Sequence, residues 1–141
     1  MFVNVLVDTS VWSLALGRPA RHLNPVEKAQ VAELGELINE GRARMLGIVR
    51  QELLSRIKTQ SQFNQLRETL RSFQDEPLSA ADYESAASFG NQCRSKGFAV
   101  SVADMLICSV AQSRDCAIFS TDPDFKRYAT VLPISLYTLR K

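Results

Sequence analysis

The chain is short of several things that would give it a ready chemistry. His22 is its single histidine among 141 residues, so a two-histidine acid–base mechanism within one subunit is excluded. Cys93, Cys108 and Cys116 are odd in number and form no CxxC pair, which argues against a disulfide framework and a zinc site. No apolar run is long enough to span a bilayer, and the N-terminus lacks a basic stretch followed by a long apolar one. The expectation is a cytoplasmic protein with no membrane attachment. An excess of either charge is nearly absent: 17 Lys+Arg against 15 Asp+Glu leave a net charge of +2. That total announces no polyanionic partner. If several acids share one pocket, however, the remaining surface is more basic than the sum implies.

What is present is enough apolar residue for a core. A hydrophobic fraction of 45% in a chain of this length fits one domain, residues 1–141, and speaks against disorder. Val3–Val7 is a β-branched run that reads as a buried strand. Thr9-Ser10 starts a helix that runs to Leu16 and breaks at Gly17-Arg18-Pro19. Asn24-Pro25-Val26-Glu27 is a capping box with proline at the first helical position, and Gly41 is the matching stop. Val31, Leu34 and Ile38 share that helix's apolar face. A short strand is expected over Arg44–Ile48, then helices from Val49, over Gln60–Phe73 and, opened by a capping box at Ser79-Ala80-Ala81-Asp82, as far as Gly97. Ser101–Arg114 reads as a helix buried on all sides, Ala117–Ser120 as a third strand and Val131–Ser135 as a fourth. Strands alternating with helices imply a parallel sheet covered on both faces.

Four carboxylates fall where this reading gathers them at one sheet edge: Asp8, Glu52, Asp104 and Asp122. In open α/β sheets, ligands bind beyond the carboxyl ends of the strands. Asp8 follows Val5-Leu6-Val7 directly, and serves equally well as an N-cap. Glu52 sits on a helix where a solvated charge is the common outcome. Asp104 is the lone charge between Lys96 and Arg114. It fits a capping box with Ser101, and it also needs a partner if buried. Asp122 precedes Pro123, a familiar helix start, and Asp124 is a spare ligand, an acceptor that supports a ligand, or a first-turn acid favoured by the helix dipole. Crowded carboxylates must share protons or bind a hard cation, and all-oxygen donors suit Mg²⁺ or Mn²⁺.

These words, VDTSVW, ELLSR, SVADMLICSVA and FSTDPDF, resemble the PIN-domain nucleases, specifically the VapC-type toxins of bacterial toxin–antitoxin pairs. The resemblance runs from the first strand to the last. It implies an α/β, PIN-like three-layer α/β/α sandwich with a central parallel sheet, and a Mg²⁺- or Mn²⁺-dependent endoribonuclease. On it, Asp8 and Asp104 would be principal metal ligands, with Glu52 and Asp122 holding metal or positioning water. Ser10 and Ser101 would support the site, and Asp124, from its place beside Asp122, is taken as a further supporting residue. An RNA substrate, a cognate antitoxin and a homodimer are implied as partners. Trp12, Tyr83 and Tyr128 are candidate base-stacking residues, with core packing the better reading of Trp12. Two rivals stand beside this: a phosphatase using Asp8 as nucleophile, and a non-catalytic RNA- or protein-binding module. The phosphatase would want an acid where Ser10 stands, or a lysine such as Lys126 near the last strand.

Overall fold

The computed structural model describes residues 2–17 and 20–140. Strand β1 (Val5–Val7) leads into helix α1 (Thr9–Gly17). A 3-10 turn (Ala20–His22) precedes α2 (Pro25–Asn39), β2 (Ala43–Arg44), α3 (Gly47–Leu54) and α4 (Gln60–Leu70). Next come α5 (Ala80–Ser95), α6 (Val102–Ser113), β3 (Ala117–Phe119), α7 (Asp124–Tyr128) and β4 (Ser135–Leu136). The sheet has four parallel strands in the order β2-β1-β3-β4. Its two central strands are buried along their whole length, as expected of a parallel sheet covered on both faces. The helices complete a three-layer α/β/α sandwich. Among them, α1 packs on α2 and α3, α3 on α4, and α5 on α6.

Most expected elements form, with shifted ends. The second strand is Ala43–Arg44 rather than Arg44–Ile48, because Leu46 is the extended N-cap residue of α3 and the chain turns into helix at Gly47. The fourth strand is Ser135–Leu136 rather than Val131–Ser135. The amides of Val131 and Leu132 donate back to the Tyr128 carbonyl, at 3.0 and 2.8 Å, and so close the turn after α7. Helix α4 stops at Leu70, and Phe73 beyond it lies edge-on against Trp12 with ring centroids 4.9 Å apart. The expected break at Gly17-Arg18-Pro19 involves Arg18 and Pro19, which lie outside the described residues; Gly17 is the last residue of α1.

The capping boxes at Asn24/Glu27 and Ser79/Asp82 both form. Asp82 is buried, and Arg114 at the end of α6 donates to both its oxygens and to the Pro77 carbonyl. That guanidinium, aided by the Ser79 amide, lowers the Asp82 pKa to about 2 against the opposing effect of burial. The ion pair thus pins the start of α5 to the end of α6. Helix α2 buries Leu34 and Leu37, with Val31 and Ile38 half-buried, and also buries Glu33. Burial alone would raise the Glu33 pKa. The Tyr137 hydroxyl and Arg140, both donating to its Oε2, outweigh this and hold it below the usual range. Arg140 also bonds Glu40, so two acids of the α2 region clasp the C-terminal segment.

Cys93, Cys108 and Cys116 are free thiols buried in the core, their pKa values raised by burial. Trp12 and Tyr128 are each 1% exposed, so both pack in the core. Of the candidate stacking residues, only Tyr83, 57% exposed, presents its ring to solvent. No helix among the described residues is long and apolar enough to cross a membrane.

Candidate metal centre

The register of the central strands sets the site. Val5, Leu6 and Val7 lie beside Ala117, Ile118 and Phe119, so the next residues along, Asp8 and Ser120, leave the sheet side by side. The Asp8 amide extends the ladder to the Phe119 carbonyl at 2.9 Å. The Asp8 side chain is 6% exposed, and its Oδ2 accepts from the hydroxyls of Ser10 at 2.8 Å and Ser120 at 2.7 Å. Each hydroxyl has one proton, and both are committed to Asp8. The same two oxygens are therefore free to accept. Ser10 Oγ takes the Thr121 amide and Ser120 Oγ the Asp122 amide, each at 3.0 Å. One buried carboxylate thus orients two serines, and the serines fix the β3–α7 loop. Asp8 Oδ1 has no hydrogen-bond partner among the described residues.

That loop carries two more acids. Asp122 Oδ1 accepts the Asp124 amide at 2.9 Å, just before α7. Pro123, not Asp122, is the N-cap residue, so Asp122 acts one residue earlier than its Asp-Pro pairing suggested. Asp124 forms an ion pair with Arg127 one turn on. Asp104 approaches from the first turn of α6, whose N-cap Ser101 accepts the Asp104 amide at 3.0 Å. The first turn of α6 is not buried on all sides: Val102 is 83% exposed and Asp104 is half-buried. Carboxylate oxygens of Asp104, Asp122 and Asp124 lie within 4.8 Å of one another.

The electrostatics agree with that crowding. Burial raises the Asp104 pKa to about 6 from the ordinary 3.8, and the charges of Asp8 and Asp122 push it the same way. The Tyr128 hydroxyl, donating to Asp104 Oδ2 at 3.0 Å, pulls against them. A group of all-oxygen donors with one member half inclined to stay protonated is a chemical fit for a hard divalent cation, which would replace the proton. Asp104, Asp122 and Asp124 each offer an oxygen within 4.8 Å of the others, and Asp8 is near enough to Asp104 to push its pKa up.

Glu52 is not one of the three acids whose oxygens lie within 4.8 Å of one another. It is exposed on α3, and its Oε1 accepts the Thr9 hydroxyl at 2.9 Å, which ties it to the residue after Asp8. Three contributors escaped the sequence reading. Thr9 and Ser120 lie inside the quoted words VDTSVW and FSTDPDF, where a hydroxyl beside an acid was the available signal. Tyr128 was assigned to stacking, and nothing local marks its contact with Asp104. His22 is exposed in its polar loop, as expected. Lys126 lies on α7 and has no hydrogen bond or ion pair with Asp8 among the described residues.

Known structures share this architecture. FitAcB from Neisseria gonorrhoeae is similar at 22% identity, with a TM-score of 0.73 over 95% of this chain and 96% of that one. VapBC2 from Rickettsia felis, solved with a DNA fragment from its promoter, is similar at 20% identity, TM-score 0.72, covering 96% and 98%. VapBC-5 from Mycobacterium tuberculosis, a member of the VapBC family of toxin–antitoxin systems, is similar at 19% identity, TM-score 0.63, covering 99% and 100%. Likeness at this level of identity shows the fold. No curated protein matches the chain by sequence. The PIN domain family matches residues 5–131, from β1 to beyond α7 and across every acid of the site, and the chain belongs to that family.

Proposed function

We propose that this chain is a Mg²⁺- or Mn²⁺-dependent endoribonuclease, the toxin of a toxin–antitoxin pair. The observation that carries the reading is the convergence of Asp104, Asp122 and Asp124 beside buried Asp8, beyond the carboxyl ends of β1 and β3. Family membership supports nuclease chemistry. The toxin–antitoxin complexes among the similar folds support an antitoxin partner, and the reading includes a homodimer acting in the cytoplasm.

A bound divalent ion would polarise a phosphoryl oxygen and lower the pKa of a water, supplying a nucleophile without any protein side chain. The chain's own groups do the rest. Asp8 is held in one orientation by Ser10 and Ser120, and Asp104 by Tyr128, so neither carboxylate must reorganise to become a ligand. Below pH about 6, Asp104 holds a proton that competes with a cation. Asp122 and Asp124 close the cluster from the loop. Glu52, fixed by Thr9 at the rim, positions water or substrate. Single-stranded or looped RNA is the fitting substrate, because its backbone can reach a recessed acidic cluster.

The test is hydrolysis of single-stranded oligoribonucleotides by purified protein. Cleavage in Mg²⁺ or Mn²⁺, halted by EDTA and absent from a folded Asp104→Asn variant, is the expected result. Full activity after rigorous metal removal, or in Asp104→Asn, would refute the reading.

A further inference from the structure

We propose that Arg56 grips the sugar–phosphate backbone of the substrate in a groove leading to the acidic cluster; this rests on the ribonuclease reading above. The first observation is backbone strain. Arg56, in the turn just after α3, has φ 73°, in the left-handed region. Among the described residues only Asp115 (φ 53°) shares that region without being glycine, and aspartate tolerates it far better than a long side chain does. At Gly41 and Gly97 the chain adopts the same region with glycine. An arginine here costs stability that glycine would not.

Among the described residues no hydrogen bond or ion pair offsets that cost. Arg42, Arg44, Arg50, Arg114 and Arg127 are each paired with a carboxylate. Arg56 is exposed, and among the described residues it has neither a hydrogen bond nor an ion pair. Strain held at an unpartnered cation points outward, to a ligand.

Its position says which ligand. Arg56 lines a groove of about 480 Å³ between α1, the turn after α3, and α4. Thr9 and Glu52 also line that groove, and the hydrogen bond between them ties it to the residue next to Asp8. Leu16, Ile57 and Leu66 give the groove apolar walls, and Ser13 and Ser55 add hydroxyls. Apolar walls suit a base or ribose face, and an unpaired guanidinium suits a phosphate. Glu52 in the same groove would repel a polyanion unless a cation stood nearby, and Arg56 is that cation. A single-stranded RNA lying in the groove would bring its next phosphate toward the acidic cluster.

Arg56→Gly separates function from structure because the two effects have opposite signs. Removing the strain should raise Tm by about 3 °C. Affinity for a fluorescent single-stranded dodecamer RNA, followed by anisotropy in EDTA, should fall about fivefold or more. The slope of log affinity against log salt should shrink by about 0.7, the loss of one phosphate contact. Arg56→Lys should keep the slope without the gain in Tm. Lys58→Ala, which removes an exposed charge outside the groove, should leave affinity nearly unchanged.

Wild-type affinity and slope in Arg56→Gly would overturn the assignment. So would a slope equally reduced in Arg56→Lys, or an equal loss in Lys58→Ala, which would mean diffuse charge rather than a contact. The two readings fail separately. RNA cleavage with unaltered Arg56→Gly behaviour refutes Arg56 alone, whereas RNA binding that depends on Arg56 without any hydrolysis refutes the ribonuclease reading alone.

Discussion

The phenol of Tyr128 reaches Asp104 Oδ2 at 3.0 Å across 24 residues of sequence, joining the last turn of α7 to the first turn of α6. The bond crosses from the core to the acidic cluster. It favours the ionised carboxylate against burial and against two neighbouring negative charges. Tyr128→Phe keeps the ring that packs edge-on against Phe125 and deletes only that donor. It should destabilise the protein by about 1 kcal/mol. It should also raise the Asp104 pKa further, so that Mn²⁺ binding begins at higher pH. Carboxyl NMR titration of both proteins checks the shift.

Asp104 also makes a prediction about stability without metal. Its pKa of about 6 in the folded state lies above the ordinary 3.8, so the native protein holds this proton more tightly than the unfolded chain does. The associated stability is fully present below pH about 4 and is lost as pH rises through about 6. In EDTA, Asp104→Asn should be more stable than wild type at pH 7, and the difference should shrink and vanish as pH falls below about 4. Urea unfolding of both proteins across that range measures it.

Asp82, paired with Arg114, titrates with the opposite sign. The Asp82 pKa is lowered to about 2, so its contribution is present above the ordinary 3.8 and is lost as pH falls toward 2. Arg114→Met leaves a buried carboxylate unpaired and should cost about 3 kcal/mol at pH 7. The penalty should shrink in acid, where the wild type loses the same pair. Denaturation midpoints at neutral and acidic pH decide this, and RNA cleavage at pH 7 should survive at temperatures where the variant is folded.

Glu52 and Asp104 should separate by experiment. Glu52→Gln is expected to cut RNA cleavage by about a hundredfold while leaving Mn²⁺ affinity close to wild type. Asp104→Asn should lose both. Calorimetry with Mn²⁺ alongside a cleavage assay distinguishes them; equal loss of metal binding in both variants would make Glu52 a ligand after all.

How far the sequence spoke for itself depended on the range of the interaction involved. The capping boxes at Asn24 and Ser79 lie within one helical turn, and both formed as read. The buried strands Val5–Val7 and Ala117–Phe119 were legible because a parallel strand covered on both faces is apolar throughout. Ends set by tertiary contact were not legible. Val131 and Leu132 are as apolar as any strand residue, yet their amides return to the Tyr128 carbonyl. Asp104 looked buried because its neighbours in sequence are apolar, but the first turn of α6 opens to solvent at Val102. The gathering of Asp104 and Asp122 is legible from a helix start and a strand end. The part played by Ser120 is not, because it depends on Ser120 standing beside Asp8 in the sheet.

The sulfur atoms of the core have a practical consequence. All three native thiols are buried and carry raised pKa values, so little thiolate is available to an electrophile at neutral pH. A single cysteine introduced at exposed Ser55, on the wall of the Arg56 groove, would then react with a maleimide dye ahead of the native three. Occupancy of the groove could be followed by fluorescence in an otherwise unaltered protein, with no need to strip cysteine from its interior.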